Sequence, residues 1–270
     1  MSGIIHLKQS IKNIWVKTVM LAFGLFAFEM LFSILGTSTD IQKGVLKDLK
    51  DMPRIMEQMM GQGFAETLLK YGVIAFGYIH PFMLVLFVLF IFFGVSQVII
   101  SEISSGTIGF TYSKPISRKR IFFNLVVIIY GGLGIMAFSA FLASFTGILL
   151  FHGNRLSTSP FASLAWNLYL IMILCAGYVV LISVFANTGK SLYTYGGITL
   201  MVFYLLSMAT SLWKPLAYLS PVNPFSYYEP FRMLMGGRIE TATSIFIIGS
   251  SMVMFIIAGW LFSKRDIAGG

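Results

Sequence analysis

The sequence has little charge. Asp, Glu, Lys and Arg make up 11% of its 270 residues against 57% hydrophobic, and the mean hydropathy is +0.85. A soluble domain carries roughly a quarter charged residues to cover its surface, so most of this surface must face lipid. Cysteine is almost missing. Cys175 stands alone inside an apolar run, which excludes an intrachain disulfide framework and a Cys-based metal site. Acidic residues are scarce, 10 against 19 Lys and Arg, and the net charge is +9. That excess does not indicate a nucleic-acid partner, because the basic residues sit at the ends of apolar runs and not on one face. Catalytic constellations are missing too: there is no H-E-x-x-H, no intramembrane carboxylate pair and no Ser–His partnership. The chain is therefore read as non-enzymatic, with no catalytic, cofactor or metal residues of its own.

Long apolar runs are abundant. About 20 apolar residues at a rise of about 1.5 Å each cross the hydrocarbon core. Six segments reach that length: Trp15–Leu35, Pro81–Ile100, Phe122–Phe151, Phe161–Ala186, Leu192–Leu212 and Thr243–Phe262. The expected fold is all-α, a polytopic membrane protein with six transmembrane helices in a single transmembrane domain over 1–270. The third run exceeds the core thickness and must tilt, kink or protrude. A cytoplasmic N-terminus would place Lys8, Lys12, Lys17, Lys114, Arg118, Lys119, Arg120, Lys190, Lys264 and Arg265 inside, against Glu102 and Asp266. The positive-inside rule then puts both termini in the cytoplasm. Residues 1–14 carry Ile4, Leu7, Ile11 and Ile14 at helical spacing, which predicts a helix lying in the cytoplasmic interface before it turns into the first span.

Two segments predict structure outside the bilayer. Residues 36–80 hold Val45, Leu49, Met52, Met56 and Met59 along one helical stripe, broken near Pro53. A second amphipathic stretch runs through Phe64, Leu68 and Leu69 to His80-Pro81, giving a small external helical subdomain. Its stripe packs on its own partner helix or a dimer counterpart; alternatively, Met52, Met56, Met59 and Met60 offer an adaptable apolar surface to a departing substrate. In residues 213–242, Pro215, Pro221, Pro224 and Pro230 with Gly236-Gly237 exclude a continuous helix. Trp213, Tyr218, Phe225, Tyr227 and Tyr228 suit the headgroup belt, so a re-entrant or interfacial cap is expected.

The stretch between the second and third runs, residues 101–121, is the most informative. Glu102 ends the span, Gly106-Thr107 follows at a turn-capable point, and Lys114-Pro115 leads through Ser117 to Arg118 and the next span. This order resembles the type-two permeases of ATP-binding-cassette exporters. So do the six runs, the long gap before the second, Ser220-Pro221 with Pro224-Phe225, and the closing Phe262-x-Lys-Arg-Asp266. The resemblance implies a coupling helix seated in a groove of a separate ATPase subunit, with Glu102, Gly106, Thr107, Lys114, Pro115, Ser117 and Arg118 carrying that contact. It further implies a second permease copy, as homodimer or heterodimer, and ATP with Mg bound by the partner, not by this chain. Such permeases export drugs, bacteriocins or cytolytic peptides, the phenol-soluble modulin exporters among them. Spans rich in Phe and Met suit an amphipathic, membrane-seeking cargo. The competing expectation is an ion-coupled secondary transporter or channel.

Three further features need a reading. Gly189-Lys190-Ser191 imitates the end of a phosphate-binding loop, but Val184 stands where that motif needs its first Gly, and a span precedes it in place of a strand. Glu29 is the one ionisable residue well inside a span. It is expected to line the outer pathway, to pair with His152 or Arg155, or to reach the headgroups. Ser139, Ala143 and Gly147 form a ridge of small residues, suited to close helix packing within the chain or across a dimer. His80, beside Pro81, reads as an interfacial histidine.

Overall fold

The structure, a computed structural model, describes residues 2–38, 40–41, 43–44, 47, 64–100, 118–152 and 156–264. Among the described residues the regular structure is entirely helical. In chain order the elements are α1 (Ser2–Leu35), α2 (Phe64–Tyr71), α3 (Ile74–Ile79), α4 (Pro81–Val95), α5 (Arg118–Gly147), α6 (Ser159–Ser183), α7 (Gly189–Leu212), α8 (Pro230–Leu234) and α9 (Thr241–Lys264). Single π-helical turns extend α4 over Ser96–Ile100 and α5 over Ile148–His152. Six segments, Ile11–Leu35, Pro81–Ile99, Arg120–His152, Ser159–Ser183, Gly189–Thr210 and Thr241–Lys264, are long and apolar enough to cross a membrane. The chain is thus an all-α polytopic membrane protein. Helices are the expected solution, because lipid offers no partner for an open backbone N–H or C=O. Six crossings place the connections 36–80, 153–158 and 211–240 at one end, called distal here, opposite residues 2 and 264.

Local chemistry sets the helix starts. Proline occupies the first turn of α4, α6 and α8, where its missing N–H costs nothing. The His80 ring caps α4, its Nδ1 accepting from Phe82 N at 3.2 Å. Helix α7 opens with a reciprocal capping box between Thr188 and Ser191. The residues that imitate a phosphate loop therefore serve as a helix cap.

Helix α1 runs without a break from Ser2 to Leu35, so the change of direction expected after residue 14 is not present. Its 34 residues rise about 51 Å, well beyond the roughly 30 Å core, and the apolar part begins at Ile11. The buried seam of α1 is Ile14, Thr18, Ala22, Leu25, Glu29 and Ser33, at helical spacing. Ile11, Trp15, Val16, Val19, Met20 and Phe23 face outward on the same helix.

That seam lies along α5. Ser139 of α5 donates to Ala22 O at 2.7 Å, and Ala143 is fully buried. Gly147 abuts the side chain of Ser33, where an added Cβ would collide with its Cβ and Oγ. The ridge of small residues thus packs within the chain, against the first helix. Helix α6 forms the centre, contacting α4, α5, α7, α8 and α9. A buried node joins three helices: Tyr130 of α5 donates to Ser251 Oγ at 2.8 Å, and Ser251 of α9 donates to Ile173 O of α6 at 2.6 Å.

At the distal end, α2 and α3 rest on the start of α6 through Tyr71 and Tyr78, whose rings lie 5.5 Å and 6.1 Å from that of Phe161. The proline-rich connection folds as short turns, Lys214–Val222 and Pro224–Tyr227, followed by α8. Side chains bind these turns to the spans. Asn167 donates to Tyr227 O at 2.9 Å and accepts from Glu229 N at 3.2 Å, and Asn223 donates to Phe203 O at 3.0 Å. Tyr178 donates to Val222 O at 2.6 Å.

Candidate functional site

Where the distal cap, α3, α1 and α5 meet, a polar cluster is sealed inside apolar packing. Its centre is Glu29, fully buried on the seam of α1. Ser144 of α5 donates to Glu29 Oε1 at 2.9 Å and lies 3.3 Å from the Tyr78 hydroxyl of α3. A serine hydroxyl has one hydrogen and two lone pairs. With that hydrogen on Glu29, Ser144 is left to accept from Tyr78. Tyr228 of the cap completes the arrangement by donating to the Tyr78 carbonyl at 2.8 Å. Burial raises the phenols of Tyr78 and Tyr228 above the usual range, so both remain O–H donors.

Two glycine positions make the cluster possible. Helix α3 approaches α1 so closely at Gly77 that a Cβ there would overlap the Glu29 carboxyl. Gly147 gives α5 the same closeness to Ser33. Two acceptors inside remain unpartnered, Glu29 Oε2 and Ser33 Oγ, which stand one helical turn apart on the same face. One turn beyond Gly147, the His152 ring binds the Ser33 carbonyl, Nε2 to O, at 3.0 Å. His152 therefore holds the backbone of α1 through the Ser33 carbonyl. Arg155, the other expected partner, lies outside the described residues. In this structure Glu29 is fully buried and does not reach the chain's surface.

The chemistry available is that of oxygen ligands: a carboxylate, two serine hydroxyls, a phenol and helix carbonyls. No group of three His, Cys, Asp or Glu occurs among the described residues. An ion pair between Arg232 and Glu229 at 2.8 Å, at the start of α8, is half exposed and carries little energy. A separate open pocket of about 530 Å³ on the distal surface is lined by Lys70, Tyr71, Leu156, Ser157, Ser159 and Pro160.

The other residues marked in the sequence distribute differently. Arg118 is the first residue of α5. Glu102, Gly106, Thr107, Lys114, Pro115 and Ser117 lie outside the described residues, as do Met52, Met56, Met59 and Met60. Sequence reasoning missed Ser33, Gly77, Tyr78, Ser144 and Tyr228 as partners of Glu29. A signal existed for two of them: Ser33 follows Glu29 at i+4, and Ser144 adjoins the ridge of Ser139, Ala143 and Gly147. The comparisons add no identity, since no family model matches the chain and no curated protein resembles it.

Proposed function

We propose that this chain is the membrane-spanning permease subunit of an ATP-binding-cassette exporter, moving an amphipathic peptide or drug-like substrate outward. Energy comes from a separate ATPase subunit that binds ATP and Mg. The observation that carries this reading is the ordered stretch Glu102, Gly106-Thr107, Lys114-Pro115, Ser117-Arg118, set immediately before α5. Helix α5 begins at Arg118 and is continuous to Gly147. A push delivered at Arg118 is therefore delivered to a rigid element that carries Ser144 some 26 residues, about 39 Å, away. Arg118 and Ser144 of the distal cluster stand on one continuous helix. In this reading residues 101–121 meet the ATPase, both termini are cytoplasmic in a bacterial plasma membrane, and a second permease copy completes the assembly. The outward apolar faces of α1, α7 and α9 serve lipid and that second copy.

Length supports the division of labour. The longest connection between spans is 36–80, far below what a nucleotide-binding domain requires. The test is a coupled substitution: Arg118→Glu with Glu102→Ala should abolish substrate-linked export while the chain still inserts and accumulates. Unchanged export sinks this assignment of the stretch.

One observation favours a second reading. A buried carboxyl in a span is the customary mark of ion or proton coupling, and Glu29 is such a group. An ion-coupled secondary transporter would use Glu29 in its cycle and would need no ATPase.

A further inference from the structure

A carboxylate that is fully enclosed and lacks a cationic partner is among the most costly arrangements a membrane span can hold. Glu29 is so placed: it is fully buried, one oxygen receives a single hydrogen bond from Ser144, and the other receives none. Ser33 Oγ, one turn along the same seam, is likewise buried with no partner. The groups that face Glu29 from the packed elements are Tyr78 of α3, Tyr228 of the cap and Ser144 of α5, with His152 one turn beyond on Ser33 O. All donate or accept hydrogen bonds; none of these contacts brings a Lys or Arg to the carboxylate.

We infer that Glu29, Ser33, Tyr78 and Ser144 form a binding site for one small monovalent cation, a proton or Na⁺, reached from the distal side. Charge sets the valence. One carboxylate and one monovalent cation leave a neutral buried site, whereas a divalent ion would leave a net positive charge in the same enclosure. Ligand chemistry sets the type, because carboxylate, hydroxyl and carbonyl oxygens suit hard cations and the cluster holds no thiolate or free imidazole. Topology sets the consequence. The site is built from α1, α5 and α3, and Tyr228 ties the cap to it. Cation binding therefore holds the distal helices against the spans, and release loosens them. The site stands independently of the ATP-driven reading, since nothing in it depends on residues 101–121.

The experiment is thermal unfolding of the purified full chain in detergent or nanodiscs, beside the Glu29→Gln variant. NaCl and choline chloride are compared at equal ionic strength, in acidic and in alkaline buffer. A Na⁺ site raises the wild-type midpoint by several degrees in NaCl but not in choline chloride. A proton site raises it on acidification whatever the salt. In either case the neutral Gln side chain abolishes the response. Identical responses of wild type and Glu29→Gln, or none in wild type, overturn the inference. Should Glu29→Gln fail to fold, Ser144→Ala decides. It removes a donor to the ionised carboxylate, so a proton site must titrate at higher pH, and it removes a ligand, so a Na⁺ site must need several-fold more salt. An unchanged midpoint overturns the inference.

Discussion

Ser144 of α5 donates its hydroxyl hydrogen to Glu29 of α1 at 2.9 Å, with both side chains fully buried. The two residues join α1 and α5, the longest helices among the described residues, at their distal ends, beside α2 and α3. Helix α5 starts at Arg118, directly after the stretch proposed to meet an ATPase. The pair therefore stands where movement of α5 would be felt by the distal helices.

Removing that hydroxyl should be costly. Ser144→Ala leaves the buried Glu29 Oε1 without its donor, and the expected destabilisation is about 1–3 kcal/mol. Ser139→Ala, which loses a partly buried bond to Ala22 O, should cost less, about 0.5–1.5 kcal/mol. Unfolding of the two variants in the same detergent ranks them. Equal or reversed losses would contradict the importance given to the cluster.

Gly77 has no room for a side chain. Gly77→Ala should destabilise the distal end by about 1–3 kcal/mol, because its Cβ overlaps the Glu29 carboxyl. Combining it with Glu29→Ala should recover part of that loss, a non-additivity diagnostic of direct contact. Strict additivity of the two substitutions, read by thermal unfolding, would mean that the approach of α3 to α1 is looser than described.

Lys190 should be dispensable for ATP chemistry. The capping box at Thr188 and Ser191 accounts for its neighbourhood, so Lys190→Ala should leave export and the ATPase rate of the complex unchanged. Thr188→Ala should instead destabilise the start of α7 by about 1 kcal/mol. Loss of nucleotide binding in Lys190→Ala would revive the phosphate-loop reading.

The four methionines of residues 52–60 offer a test of substrate contact. Replacing Met52, Met56, Met59 and Met60 together by Ser should lower export of an amphipathic peptide several-fold while the chain still reaches the membrane. Export at the wild-type rate would leave this segment a packing role only.

The six spans were legible in the sequence because lipid demands about 20 apolar residues per crossing, and six runs meet that length. Which face of each span turns inward was not. In lipid the outward face is as apolar as the inward one, so Ile11, Trp15 and Phe23 outside α1 look no different in composition from Ile14 and Leu25 within it. The inward face is marked by small and polar residues, and Thr18, Ala22, Glu29 and Ser33 form that mark on α1. The ridge of Ser139, Ala143 and Gly147 was readable by the same rule, but only the fold shows that its partner is α1. The expected turn after residue 14 failed for a related reason. Amphipathic spacing in residues 1–14 is compatible with the same helix simply continuing, and it does continue. Tyr78 and Tyr228 escaped notice because their link to Glu29 is purely tertiary, across 49 and 199 positions of chain.

The most direct measurement is to tag this chain, co-express it with a candidate ATP-binding-cassette ATPase, purify the complex, and assay ATP hydrolysis with and without an amphipathic helical peptide. The account predicts a stable complex whose hydrolysis rises with the peptide. A chain that purifies alone, binding no ATPase, would contradict it and leave the ion-coupled transporter as the better description.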